Sequence, residues 1–175
     1  MKKINFILGA IVFAGLGLTS CSNDDDNNTG KVGIAGTYKL SEVNTGTTGT
    51  DFNEDDVVNK NQMKESDCYN NSKIALNADN TFTYDIKTIL VNTVDGTSAC
   101  SAVSVGGTWS ATGSGDNAVI TAVYENENKQ DVTVTFTKAG NVLKNTKTLA
   151  QYPDRNANGG AIYSVGTVEL VFDKQ

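Results

Sequence analysis

Apolar and polar residues alternate with a period of two along most of this chain. Tyr38 and Leu40 share one face within Gly36–Val43, with Lys39 and Ser41 opposite. From Lys73 the pattern returns: Ile74 and Leu76 lie together, then Phe82, Tyr84 and Ile86. Val103 and Val105 lead into Gly106–Ala111. Ala118, Ile120, Ala122 and Tyr124 then alternate with Val119, Thr121 and Val123. Val132, Val134 and Phe136 face away from Thr133, Thr135 and Thr137, and Val168, Leu170 and Phe172 close the chain. This period is that of a half-buried strand, whose successive side chains point to opposite faces. Asn77-Ala78-Asp79-Asn80, Gly113–Asn117, Glu125–Gln130 and Ala139-Gly140-Asn141 carry turn chemistry between these runs. Val142–Leu149 reads as a further strand and Pro153–Gly160 as a loop. No segment carries a 3.6-residue amphipathic period.

The pattern predicts about eight strands joined mostly by short turns, hence an all-β fold. An antiparallel up-and-down β-barrel is the simplest architecture, because closure removes exposed edges. A β-sandwich is the alternative, but it usually needs crossovers longer than these hairpin turns. One stretch breaks the rhythm. Asn44–Ser72 is polar and aperiodic, long enough to carry either local turns of its own or a function.

Composition narrows the chemistry. The chain has 175 residues, one proline, 17 glycines and no histidine. Lacking histidine, it has no serine–histidine or cysteine–histidine catalysis and no histidine-ligated metal. A formal charge of −6 gives a nucleic-acid partner no electrostatic footing. Paired carboxylates can still cleave glycosides, yet here they fall mostly in turns, so the chain reads as a non-enzyme.

The first residues read as an address. Lys2 and Lys3 precede an uncharged apolar run, Ile4–Leu18, too short for a permanent helical span. Leu18-Thr19-Ser20-Cys21 resembles the lipobox of bacterial lipoproteins, whose cysteine is acylated after cleavage. Residues 1–20 are then a signal peptide, and Cys21 is the lipid anchor that makes the membrane a partner. An ordinary secreted protein cleaved nearby is the alternative. Without Lys2 and Lys3 the 14 basic residues become 12 against 20 acidic ones, a formal charge of −8. Each buried acyl CH₂ contributes about 0.8 kcal/mol, so several chains hold the protein without help from the folded part. Residues 21–32, with Asp24-Asp25-Asp26, form an acidic tether with nothing to bury. The acidic run resembles the signal that sends some lipoproteins to the cell surface across the outer membrane; the periplasmic face is the alternative.

With Cys21 acylated, Cys68 and Cys100 remain. In an oxidising compartment an even pair reads as one disulfide, closing a loop worth about 3–4 kcal/mol on the loop-entropy model. Two free thiols are the other reading.

Several segments line up with a known family. Gly36-Thr37-Tyr38-Lys39-Leu40 looks like the opening strand of lipocalin-like domains, with Tyr38 where tryptophan is usual. Lys73–Phe82 is similar to a hairpin of bacterial lipocalin-like lipoproteins, with Asn80 where glycine is common; asparagine also tolerates positive φ. Cys68, Cys100 and Gly107-Thr108-Trp109 complete the resemblance, which covers roughly Gly33 to Lys174 and implies one lipocalin-like barrel domain over residues 33–175. It implies a binding barrel for one small apolar ligand. Tyr38, Phe82, Tyr84, Trp109 and Phe136 are candidate pocket residues, or else fill the barrel as core. Binding through outer loops to protein or glycan is the other functional reading.

Asp51, Asn53 and Asp55 follow the D-x-N-x-D start of a calcium loop, making Ca²⁺ the one cofactor in question. Asp56 stands where such loops turn on glycine, and Gln62 where the bidentate glutamate belongs; a solvated acidic loop is the plainer reading.

Overall fold

The computed structural model describes residues 33–46 and 48–175; the expected signal peptide (1–20), the expected tether (21–32) and the expected lipid anchor Cys21 lie outside the described residues. Eight strands follow in order: β1 (Gly36–Thr45), β2 (Lys73–Leu76), β3 (Thr81–Asn92), β4 (Thr97–Thr112), β5 (Val119–Glu125), β6 (Asp131–Ala139), β7 (Val142–Arg155) and β8 (Ala161–Lys174). Each pairs antiparallel with the next, and β8 returns to β1, so the sheet closes as an up-and-down barrel. The sandwich alternative is excluded.

The register sets the core. Tyr38 lies opposite Ile74, Ile74 opposite Tyr84, and Leu40 opposite Phe172. These residues therefore share the inner face, and all but Tyr84 are at most 2% exposed. Tyr84, Phe136 and Phe172 come from three strands that do not neighbour one another. They meet edge to face, with ring centroids 5.9–6.1 Å apart. Each such pair contributes about 0.5–1.5 kcal/mol beyond its buried area.

One end is plugged. Ile34 is buried across it, and its carbonyl accepts the Tyr38 hydroxyl at 2.6 Å. The Trp109 indole N–H donates to the Asn77 carbonyl at 2.9 Å, tying β4 to the β2–β3 turn. That turn carries Asn80 at φ 69°, the conformation its asparagine was expected to accept. Gly107 marks a close approach: a Cβ there would overlap the Val123 carbonyl and lie 3.0 Å from the Phe82 ring.

The other end is built differently, because the strands are unequal. β2, β5 and β6 have 4, 7 and 9 residues, while β3, β4, β7 and β8 have 12, 16, 14 and 14. β5 pairs with β4 only over Gly107–Thr112, and β6 with β7 only over Val142–Lys144. The surplus of the long strands runs on as two hairpin arms. Their tips meet where the Ala161 N–H donates to the Gly96 carbonyl at 2.9 Å.

The arms account for two departures from the expected boundaries. β4 starts at Thr97 rather than near Val103; Thr97–Ala102 shows no apolar alternation because the arm is mostly exposed there. β7 runs through Pro153 to Arg155, shortening the expected loop to residues 156–160. Proline lacks a ladder donor and is confined to edges. Beyond Lys144, β7 has a strand on one side only, so Pro153 pairs with Tyr163 at no loss. A bulge between Lys147 and Ala150 leaves Leu149 exposed at φ 54°.

The β1–β2 connection carries two short 3-10 turns, Gln62–Lys64 and Asp67–Tyr69. Cys68 in the second is disulfide-bonded to Cys100 of β4, with Cα atoms 5.1 Å apart. The bond spans 32 residues of chain, so reduction releases a loop worth about 3–4 kcal/mol of unfolded-state entropy. Urea unfolding of the Cys68→Ser, Cys100→Ser double variant is expected to show a loss of that size. An unchanged midpoint would show that the bond adds nothing to stability.

Candidate functional site

Between the arms, above the aromatic trio, lies a cavity of about 510 Å³. This is within the roughly 300–1,000 Å³ range of small-molecule sites. Its base is apolar: Leu40, Val43, Ile86, Val168 and Leu170. Thr88, Leu90 and Ser101 line it from the β3–β4 arm, and Asn145, Lys147, Ala150 and Tyr152 from β7. Tyr69, Tyr163 and Lys87 line it as well.

Tyr163 does a strand's work. β2 stops pairing at Lys73 opposite Asp85, so the far half of β3 has no neighbour on that side. The Val91 N–H donates to the Tyr163 hydroxyl at 3.0 Å, and that hydroxyl donates to the Ile89 carbonyl at 3.4 Å. One phenol from β8 thus satisfies a donor and an acceptor that a strand would otherwise take.

The β1–β2 loop is fastened beside the cavity. The Arg155 guanidinium lies 4.6 Å from the Phe52 ring centre, and its Nε donates to the Phe52 carbonyl at 3.0 Å. Its Nη2 lies 3.9 Å from the Glu54 carboxylate. Inside the loop, buried Glu65 accepts the Phe52 and Asn53 N–H groups at 2.7 and 3.2 Å and the Asn59 amide at 2.6 Å.

The acidic stretch within this loop folds on itself. The Asp51 carboxylate accepts the Asp55 and Asp56 N–H groups, both at 3.0 Å, and Asp55 accepts Val57 N–H at 2.9 Å. Asn53 accepts Asp55 N–H at 3.3 Å and donates to the Asp55 carboxylate at 3.0 Å. Asp56 takes the glycine-like conformation at φ 65°. Gln62 is wholly buried and donates to the Thr50 hydroxyl rather than facing the acidic stretch. Among the described residues, no three carboxylates or thiols converge on a common point that would hold an ion.

The five aromatic residues singled out from the sequence sit below the cavity. Tyr38, Phe82 and Trp109 pack the plugged end, and Tyr84 and Phe136 belong to the aromatic trio; none lines the cavity. The lining that sequence reasoning missed did leave a trace. Leu143, Asn145 and Lys147 continue one phase of β7, so two polar residues stand on the face that Leu143 turns inward. The Asn145 Nδ2 donates to the Thr135 carbonyl at 2.8 Å, while its buried Oδ1 has no partner among the described residues. Such an acceptor costs roughly 1–3 kcal/mol if left unmet.

Comparison of the chain with protein-family models, with curated proteins and with solved structures finds no match.

Burial raises the Tyr69 phenol to about 12 despite a hydrogen bond with Thr88 that lowers it, and raises Tyr38 to about 12 as well. Both groups fold best protonated. Their stabilisation is complete below pH 10, the unfolded value, and is lost as pH rises to about 12. Absorbance titration is expected to show a tyrosinate phase near pH 12, with circular dichroism falling between pH 10 and 12. Tyr69→Phe should shrink that phase. Complete ionisation near pH 10 with the fold intact would contradict the assignment.

Proposed function

We propose that this chain is a lipid-anchored cell-envelope protein of lipocalin-like type, whose barrel mouth binds a small, largely apolar molecule. The observation that carries this reading is a closed barrel packed at one end and hollow at the other, with an apolar base under the hollow. Its chemistry is that of a binder: an apolar base and a few polar groups placed to orient a guest.

The anchor fits the same arrangement. The described chain begins at Gly33 beside the plugged end, where its carbonyl accepts the Lys174 ammonium at 3.0 Å. On this reading Cys21 holds the plugged end toward the outer membrane, and the mouth opens away from it, at the cell surface or on the periplasmic face. The chain acts without catalysis and without a metal.

A second reading has its own observation. Thr97–Gly106 is an uncharged stretch of β4 with a strand on one side only, and Val103 is exposed on it. Edges of this kind accept an added strand from a partner unless charge or proline blocks them. A barrel with no affinity for small molecules would favour it.

Two measurements test the leading reading. The full chain with Cys21→Ser should bind a fluorescent fatty-acyl or retinoid probe that unlabelled ligand displaces. Ala150→Trp, which fills the mouth, should weaken that binding about tenfold, or 1.4 kcal/mol. An unaffected affinity places the probe elsewhere. For the anchor, the native chain expressed in a Gram-negative host should enter the detergent phase and carry acyl mass on Cys21. Cys21→Ser should stay in the aqueous phase; equal partitioning of the two would remove the anchor.

A further inference from the structure

β3, β4 and β7 each run past a neighbour, and their bare edges are treated unequally. Along β3, beyond Asp85, the Ser72 hydroxyl accepts the Lys87 N–H at 2.9 Å, and Tyr163 serves Ile89 and Val91. Along β7, beyond Lys144, Pro153 offers no N–H and the bulge at Leu149 breaks the ladder. Lys147, Asp154 and Arg155 add charge there. Such devices keep a foreign strand from pairing. Between Thr97 and Gly106 β4 has no charge, no proline and no bulge.

Alternation fixes which groups this edge offers. The Trp109 N–H donates to the Asn80 carbonyl at 2.8 Å, on the β3 side of β4. Every second residue repeats that direction. Ser98, Cys100, Ala102 and Ser104 therefore aim their N–H and C=O groups at the other edge. β5 is absent there, since it pairs with β4 only over Gly107–Thr112. The residues between them face inward. Ser101 lies opposite Thr88 and Val103 opposite Ile86; Ser101, Thr88 and Ile86 line the cavity. Val103 shares that inner face and is still 52% exposed, because no strand continues beside it. A bare hydrogen-bonding edge thus borders the open flank of an apolar cavity.

Resting on the reading of β4 as an open edge, we propose that its occupant is an extended segment of another protein. The segment adds antiparallel to Ser98–Ser104, in the place a longer β5 would hold. A row of N–H and C=O groups along a strand is matched over its length by a second strand. The strip is uncharged in a chain of formal charge −6, so its complement is uncharged as well. Side chains of the added strand opposite Ser101 and Val103 enter the cavity's open flank, and those between them face solvent. The segment is therefore apolar at every second position. In antiparallel pairing its N–H groups that meet β4 belong to the polar positions, because directly bonded residues share the outward face here. A second copy of β4 fits less well. Antiparallel pairing would turn two barrels end for end, so their plugged ends, and the proposed anchors with them, would point apart.

Three nine-residue peptides, each with lysine at both ends, test this on the full chain with Cys21→Ser. One alternates between its lysines, Thr-Val-Thr-Val-Thr-Val-Thr. One has the same residues with the valines in a row, and one is threonine throughout. The alternating peptide should bind about tenfold tighter than either other, since it alone turns three valines to one face. N-methylation of its two inner threonines should cost at least about tenfold, and of two valines under about threefold. Ala102→Pro removes an edge N–H and none from the β3 ladder, so it should weaken binding at least about tenfold. Ser98→Pro does the same nearer the arm's end if Ala102→Pro fails to fold. Fluorescence of Trp109, at the plugged end, reports folding separately. Equal binding of the three peptides, still blocked by Ala102→Pro, would overturn the apolar requirement and leave the open edge standing. No binding of any would remove both. Binding that survives both proline variants places the peptide elsewhere and overturns the proposal. So does a doubled mass of the free chain that Ala102→Pro returns to single, which would give the edge to a second copy.

Discussion

A closed β-ribbon obeys one constraint: a strand stays in the barrel wall only as far as it has a partner on each side. Here that shared length is short, set by the 4, 7 and 9 residues of β2, β5 and β6. Within it the inner face is packed with buried side chains, and Tyr84, Phe136 and Phe172 lock three separated strands together. Beyond it the long strands lose one neighbour and become arms, and the space between them is what the wall no longer encloses. The cavity is thus a consequence of strand lengths before it is a consequence of any side chain.

The missing partners are replaced differently on the two flanks. On the side of β1 and β2, the long connection fills the gap. Tyr163 serves the bare edge of β3, the disulfide pins Cys68 to Cys100, and Arg155 clamps Phe52. On the side of β5 and β6 the connection is a tight turn, residues 126–130, too short to cover anything. The edges of β4 and β7 face solvent there, which is where Pro153 and the Leu149 bulge are tolerated. One flank is a back wall and the other is the opening.

This division explains what the sequence revealed and what it hid. The strands that form the wall alternate cleanly, so the barrel, its order and its turns were legible from Ile74, Phe82, Ile120, Phe136 and Phe172. The arms were not. Alternation records one dry face and one wet face, and Thr97–Ala102 is mostly wet on both. Pro153 read as a loop because the rule against proline in strands holds only where both edges are paired. For the site, the aromatic residues drew attention because a large ring signals burial; these rings had already been spent on packing. Tyr69, Tyr152 and Tyr163 line the cavity from segments with no regular period, and only contact across the chain brings them together. Asn145 and Lys147 were legible in principle, as polar residues in an apolar phase, but the phase itself is fixed only by register with Leu170 and Val168.

The loop carries most of its ties through residues that do not line the cavity. Glu65 gathers three donors from within the loop, Asp51 two more, and the disulfide reaches across to β4. Among the described residues of this segment, only Tyr69 reaches the cavity. A loop so heavily cross-bonded is a poor lid, since opening it would break a covalent bond or expose the buried carboxylate of Glu65. It behaves instead as part of the wall, and a molecule entering the mouth meets a preformed space. Preformed space spends little binding energy on ordering the protein. On the proposed reading, affinity then depends on how well a guest fits that fixed apolar space, and not on any closure of the loop over it.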